Sequence, residues 1–252
     1  MNYLKTFLLL LVLLPINLMA QQFFPGYAVS SKGDTSRGYI KYKRWDYNPR
    51  TIQFKADPNV KPTNLSVNDT KYFSIDIGYQ LGFMRYTGSL SMDDINIDRI
   101  SWQRDTTFKI DTVFLKVLRK GNVSLFSFAD ALKTRYFISD SGSQPVELIY
   151  RLYKKNEQRG ENSITINEDT YKQQLTALAE KYGKMDDRFR VELNNTGYSE
   201  ATITASIDKI NGFNGPDPAK GNDLGTPSKA RLVIMLGAFA VVAYLVFSVM
   251  HK

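Results

Sequence analysis

From Leu232 to Met250 the chain runs for 19 residues without a charged side chain. At about 1.5 Å per residue, an α-helix of that length crosses a hydrocarbon core of about 30 Å. Backbone polar groups in lipid find no water, so an inserted segment satisfies them internally as a helix. A helix in a globular core usually keeps a polar face, and this stretch has no charged one. The stretch therefore predicts a single transmembrane helix over 231–250, with membrane lipid as the partner of residues 232–250.

A second apolar run lies near the other end. Lys5 precedes Thr6–Leu14, which is nearly all Leu, Phe and Val, and the segment closes on Leu18-Met19-Ala20. One positive charge, a short apolar run ended by Pro15 and a small final residue match an export signal over 1–20, cleaved after Ala20. An uncleaved anchor is the competing reading. Together the two runs predict an exported, membrane-anchored chain with only the tail 251–252 inside. Lys252 beyond the helix is offset by Lys229 and Arg231 before it, so the export signal sets the orientation more than flanking charge does.

The chain has no cysteine. A domain of this size can bury a core without disulfides, and their lack in an exported chain fits a bacterial envelope. The expected address is the bacterial inner membrane with the folded part facing the periplasm; the alternative is the outer membrane or cell surface. Asn-X-Ser/Thr triplets at Asn64, Asn68, Asn122 and Asn194 matter only in a eukaryotic secretory pathway. The net charge of +8 comes from Lys and Arg scattered along the chain. That balance favours anionic lipid, glycan or protein partners, and export argues against nucleic acid.

Between the apolar runs, 21–160 reads as β-structure. Strand candidates are Phe24–Ser30, Gly38–Trp45, Thr51–Ala56, Lys71–Ile77 and Tyr79–Tyr86, all dense in aromatic and β-branched residues. Thr112–Leu118 and Val123–Phe128 form the clearest hairpin, turning at Arg119-Lys120-Gly121-Asn122. Arg135–Ser139 and Val146–Tyr153 pair around Asp140-Ser141-Gly142. The period then changes, and 161–212 reads as a helical segment. Glu168–Tyr182 is its first helix, with Asn167 as N-cap and Gly183 as stop; Met185–Leu193 and Ser199–Ile210 are further helices. A Gly- and Pro-rich stretch over 213–230 reads as a flexible linker. The fold class is thus α+β: an antiparallel β-rich domain, barrel or sandwich, then two or three helices and the membrane span.

Chemistry narrows by subtraction. The one histidine is His251, so a Ser-His-Asp triad and His/Cys zinc sites are closed to the exported domain. No phosphate loop or dinucleotide fingerprint occurs, and no cofactor or catalytic residue is expected. Asp93-Asp94 and Asp186-Asp187 could supply paired carboxylates for glycoside hydrolysis, but adjacent acids usually form a solvated face or a helix start. Asp94, Asn96, Asp98 and Asp105 have calcium-loop spacing, yet Arg99 stands where the sharp turn needs glycine. Tyr39, Lys41, Lys43 and Trp45 mix rings with cations as a binding platform would; an amphipathic strand with outward lysines is the plainer alternative.

Several short motifs carry a resemblance. They are Gly26–Ala28, Gly33-Asp34-Thr35, Gly38–Lys43, Phe114–Leu118, Leu125-Phe126 and Tyr171–Leu175. In these the chain resembles an uncharacterised bacterial envelope family typical of Bacteroidota. The resemblance implies an N-terminal β-rich module, often joined to an outer-membrane β-barrel, whose place a linker and one helix take here. It carries no catalytic residues. The expected function is binding, sensing or scaffolding outside the cytoplasm, with an envelope protein or glycan as partner and no enzymatic activity. The alternative is a carboxylate-dependent hydrolase acting on envelope glycans.

Overall fold

The computed structural model describes residues 23–156 and 163–213. The export signal over 1–20, the linker from 214 onward and the apolar span 231–250 lie outside them. Among the described residues no helix is long and apolar enough to cross a membrane.

The described chain is α+β. Its strands are β1 (Phe23–Ser30), β2 (Thr35–Lys41), β3 (Thr51–Lys55), β4 (Thr63–Ser66), β5 (Thr70–Asp76), β6 (Gln80–Ser91), β7 (Phe108–Arg119), β8 (Val123–Ala129), β9 (Thr134–Asp140), β10 (Val146–Leu148), β11 (Arg151–Asn156) and β12 (Ser163–Glu168). Three helices follow: α1 (Thr170–Lys181), α2 (Asp187–Asn195) and α3 (Glu200–Asn211). Ten strands form one antiparallel sheet in the order β10-β9-β8-β7-β6-β5-β1-β2-β3-β4, and β11 pairs with β12 alone. The strands are therefore neither two stacked sheets nor, among the described residues, a hydrogen-bonded ring.

Chain connectivity forces this sheet to curl. β4 lies four strand positions from β5, about 19 Å away in a flat sheet with strands about 4.8 Å apart. Only Val67, Asn68 and Asp69 join them, and four extended steps reach about 14 Å. Strands β1–β6 accordingly wrap around Ala28, Ile40, Ile52, Phe54, Phe73, Ile75, Leu81 and Phe83. The other half curls toward the opposite face. The Ser91 amide at the end of β6 donates to Glu147 of β10 at 3.0 Å, although four positions separate the strands. That curl encloses Tyr86, Leu90, Val113, Leu115, Phe126, Phe128 and Phe137.

β6 and β7 are walls of both curls. Their alternate residues face opposite ways, so Phe83 and Phe114 enter the first core while Tyr86, Val113 and Leu115 enter the second. Asn48, between β2 and β3, locks the curls together. Its side-chain amide donates to the carbonyls of Phe114 (2.8 Å) and Ser127 (3.0 Å), and its Oδ1 accepts from the Ala129 amide at 3.1 Å. These bonds fill the splayed end of the β7–β8 ladder, whose register stops at Lys116↔Ser127.

The helices cover one face of β7–β10. Leu118, Val123, Leu125, Tyr136, Ile138 and Leu148 meet Tyr171, Leu175, Leu178, Phe189, Leu193, Ile203 and Ile207 there. Ser199 caps α3 by accepting from the Thr202 amide, and Gly212 ends it with φ of 75°. Two boundaries differ from the sequence reading. The helical segment begins at Thr170, because Ser163–Glu168 pairs with Arg151–Asn156 as a hairpin. Asn167 lies in that hairpin, and Asp169 is the N-cap of α1.

Candidate functional site

The outer side of the first curl carries an open groove of about 640 Å³ lined by Pro25, Gly26, Tyr27, Arg37, Gly38, Tyr39, Ala56, Asp76 and Gln80. Strand register builds it. Side chains two apart share a face, so Phe23, Pro25 and Tyr27 point outward from β1 while Phe24 and Ala28 turn inward. The register sets Phe23 beside Lys41, Pro25 beside Tyr39 and Tyr27 beside Arg37. Each of these pairs holds a ring, and two of the three oppose a ring with a cation.

The groove floor is made by Gly26 and Gly38, which face each other across β1 and β2. A Cβ on Gly26 would strike the Ser74 carbonyl, and one on Gly38 the Lys55 carbonyl and the Phe54 ring. Both absent side chains would point to the inner side, toward Ile40 and Phe54, so glycine permits the close packing beneath the groove and leaves bare backbone between Tyr27 and Tyr39. Ser74 donates to Gln80 Oε1 at 2.7 Å, which fixes the Gln80 amide at one end of the groove. Asp76 accepts from the Gly78 amide at 3.1 Å.

The electrostatics are positive around aromatic surface. Lys55 lies 4.7 Å from the Phe23 ring centroid, and Lys120 lies 5.3 Å from that of Tyr72. The Tyr27 and Tyr72 rings are 5.8 Å apart. Partial burial, then the neighbouring Tyr72, raises the Tyr27 pKa. Among the described residues Arg37 and Lys41 form no ion pair with a carboxylate.

The ring-and-cation set from the sequence is divided by this geometry. Tyr39 lines the groove and Lys41 follows it on the same face of β2. Lys43 lies past the end of β2 and is exposed. Trp45 turns to the inner side, with ring centroids 5.0 Å from Tyr42, 5.5 Å from Phe83 and 6.2 Å from Phe73. There it borders a separate cleft of about 90 Å³ with Tyr47, Pro49, Leu81 and Lys116. Tyr27, Arg37, Asp76 and Gln80 were not singled out in the sequence. The signal for the first two is the period-two alternation of β1 and β2; Asp76 and Gln80 arrive from β5 and β6.

The calcium-like residues occupy the β6–β7 connection. Asp94 accepts from the Asn96 amide and pairs with Arg99 at 2.9 Å, Asn96 accepts from the Asp98 amide, and Asp105 accepts from Thr107. The amide bonds are successive Asx turns, and those from the Thr107 amide and hydroxyl lower the Asp105 pKa. Among the described residues no three His, Cys, Asp or Glu side chains converge as a metal site.

Compared with protein-family models, curated proteins and solved structures, the chain has no match.

The paired acids have structural partners. Asp93 is 3% exposed and accepts from Lys133 at 2.7 Å, with Arg151 Nε 3.8 Å from its other oxygen. Lys133 is itself buried, and that burial lowers its pKa against the opposing pull of Asp93. Arg135 donates to the Ser91 carbonyl at 2.6 and 2.8 Å and pairs with Asp130 at 3.0 Å. These groups lock the second curl where the end of β6 meets β9 and β10. Asp186 caps α2 by accepting from the Phe189 amide at 2.6 Å, and Asp187 sits in that helix's first turn.

Proposed function

We propose that this chain is a non-enzymatic binding module of a bacterial cell envelope, exported by residues 1–20 and held to the membrane through 232–250. It acts outside the cytoplasm, at the inner membrane facing the periplasm, and it engages an envelope partner through the groove of β1, β2, β5 and β6. In this reading the chain is a relative of the Bacteroidota-type envelope proteins it resembles in sequence.

The groove carries the proposal. Its walls, Tyr27, Tyr39 and Pro25, are rigid rings on a sheet whose reverse side is a packed aromatic core. Few rotamers are lost when such surfaces bind, so little of the interaction is spent on ordering them. Arg37, Asp76 and Gln80 add polar groups at fixed positions, the composition usual for a recognition site.

The hydrolase alternative asks more of these residues. Glycoside hydrolysis through carboxylates uses two acids about 5 to 10 Å apart beside the scissile bond. Asp76 is the groove's carboxylate among the described lining residues, while Asp93 is committed to Lys133.

A photo-crosslinking residue at Tyr39 of the full chain, expressed in its native envelope, tests the proposal. We expect irradiation to give a shifted species from that position and none from Val191, an exposed site on α2. No adduct from Tyr39, or the same adducts from both sites, contradicts it.

A further inference from the structure

We infer that the groove's ligand is an anionic sugar chain, bearing uronate carboxylates or phosphates. The inference rests on the groove being the recognition surface and adds the chemical class that it takes.

Three observations favour this class. The first is the order of rings and cations. Phe23 opposes Lys41 and Tyr27 opposes Arg37 across β1 and β2, with Pro25 and Tyr39 paired between them. Lys55 opposes Tyr39 from β3. A sugar presents an apolar C–H face that stacks on a ring and an equatorial rim that takes hydrogen bonds. Cations at both ends of a ring stripe fit acid groups repeating along such a chain.

The second is charge balance. Arg37, Lys41, Lys55 and Lys120 surround the stripe, and Asp76 is the carboxylate among the described lining residues. Arg37 and Lys41 carry no carboxylate partner among the described residues, so an incoming anion displaces no ion pair from them. The hydroxyl of Tyr27, protonated at neutral pH like any phenol, is a donor suited to an acidic rim.

The third is what the groove does not offer. β1 and β2 are interior strands, each paired on both sides. β2 is paired along its length with β1 and at Tyr39 and Ile40 with β3, and β1 is paired with β5 from Gly26 to Ser30, so neither is an open edge to which a peptide adds as a strand. A bilayer surface is also a poor fit. The large, strongly exposed apolar side chains, such as Trp102, Phe108 and Ile110, lie on other elements, and none lines the groove. Membrane insertion uses such residues.

The test uses the full chain in nanodiscs of neutral lipid. Binding is measured to polygalacturonate, to a phosphomannan, to dextran, to polyglutamate and to vesicles rich in phosphatidylglycerol. The expected result is binding to one or both anionic polysaccharides at least tenfold tighter than to dextran or polyglutamate. It should weaken as salt rises and weaken at least tenfold in Arg37→Glu and in Tyr39→Ala. Lys155→Glu removes the same charge from an exposed site on β11 and should bind as the parent does. Melting curves of each variant establish that it is folded. The two polysaccharides distinguish carboxylate from phosphate as the acid group.

Equal or tighter binding of polyglutamate overturns the inference in favour of an acidic peptide. Preference for dextran makes the ligand a neutral glycan, and preference for the vesicles makes it a lipid surface. Binding that is insensitive to Arg37→Glu and Tyr39→Ala moves the site elsewhere. If no probe binds, the sugar class falls. A crosslink from Tyr39 in cells would then leave the groove standing as a recognition surface, and its absence would remove both.

Discussion

Asn48 can be tested by changing one atom. Its side-chain NH₂ donates to two carbonyls and its oxygen accepts from one amide, all on β7 and β8. Asn48→Ala deletes all three bonds. A typical hydrogen bond is worth about 1 kcal/mol net, and a buried group left unpaired costs about 1–3 kcal/mol. The site is half-buried, so water reaches part of it, and the expected loss is about 2–4 kcal/mol. In folding equilibrium that is roughly 30- to 700-fold at about 1.4 kcal/mol per decade. Asn48→Asp keeps the shape but turns a carboxylate oxygen toward the carbonyls of Phe114 and Ser127. Two donor–acceptor contacts become acceptor–acceptor contacts, so Asp should cost more than Ala at pH 7. Part of the loss should return as the pH falls below the carboxylate's pKa, because a protonated acid can donate once.

The assay is guanidinium unfolding of the full chain in detergent, followed by tryptophan fluorescence, since Trp45 sits in the first core near this loop. Asn48→Asp as stable as the parent, or more stable than Asn48→Ala at neutral pH, refutes the assigned role of the amide.

Two further outcomes follow from the second curl and the helical face. Asp93→Ala strands the buried Lys133, while Arg151 keeps Glu168 at 2.9 Å, and should cost about 3–5 kcal/mol in melting experiments; the double change Asp93→Leu with Lys133→Met should cost less than either single change, and additive losses would contradict this. Burial raises the pKa of Tyr198, of Tyr171 and of Tyr136, the last to about 12. A raised tyrosine pKa stabilises the fold fully below the ordinary value near 10 and loses its contribution as pH rises toward the folded value. Stability should therefore be flat up to about pH 10 and fall between pH 10 and 12, with part of the phenolate absorbance appearing only on unfolding; full ionisation near pH 10 without unfolding would contradict the packing of these rings.

Local pattern made much of the fold legible, and long-range closure did not. The hairpin of Thr112–Leu118 with Val123–Phe128 lies within β7 and β8, and its turn carries the expected residues. Met185–Leu193 and Ser199–Ile210 fall within two residues of α2 and α3, because their caps and apolar spacing are local. β4 gives no strand signal, since Thr63-Asn64-Leu65-Ser66 is polar and owes its pairing to β3. β12 falls within 161–212, which reads as a helical segment, because Ile164 and Ile166 alternate over too few residues to stand out. The double curl has no local sign at all. It follows from a three-residue link between strands four positions apart, which becomes informative only once strand order is known.

The candidate groove divides the same way. Alternation would put Tyr39, Lys41, Lys43 and Trp45 on one face, but β2 ends at Lys41, so only Tyr39 and Lys41 stay together. Trp45 joined the core because β2 ends at Lys41 and the chain then bends inward. Asp76 and Gln80 are more than 30 residues from Tyr39 in sequence, and only the β1–β5–β6 register brings them near.

Because the chain has no cysteine, Gln80→Cys gives a single thiol at the groove and Val191→Cys a single thiol on α2. The decisive measurement is their labelling rate with a membrane-impermeant maleimide, in cells with only the outer membrane opened and in the purified full chain. The account predicts that both thiols react without breaking the inner membrane, and that Gln80→Cys alone reacts more slowly in cells, where a partner covers it. Labelling that waits for inner-membrane lysis, or equal rates for Gln80→Cys in cells and in purified protein, contradicts it.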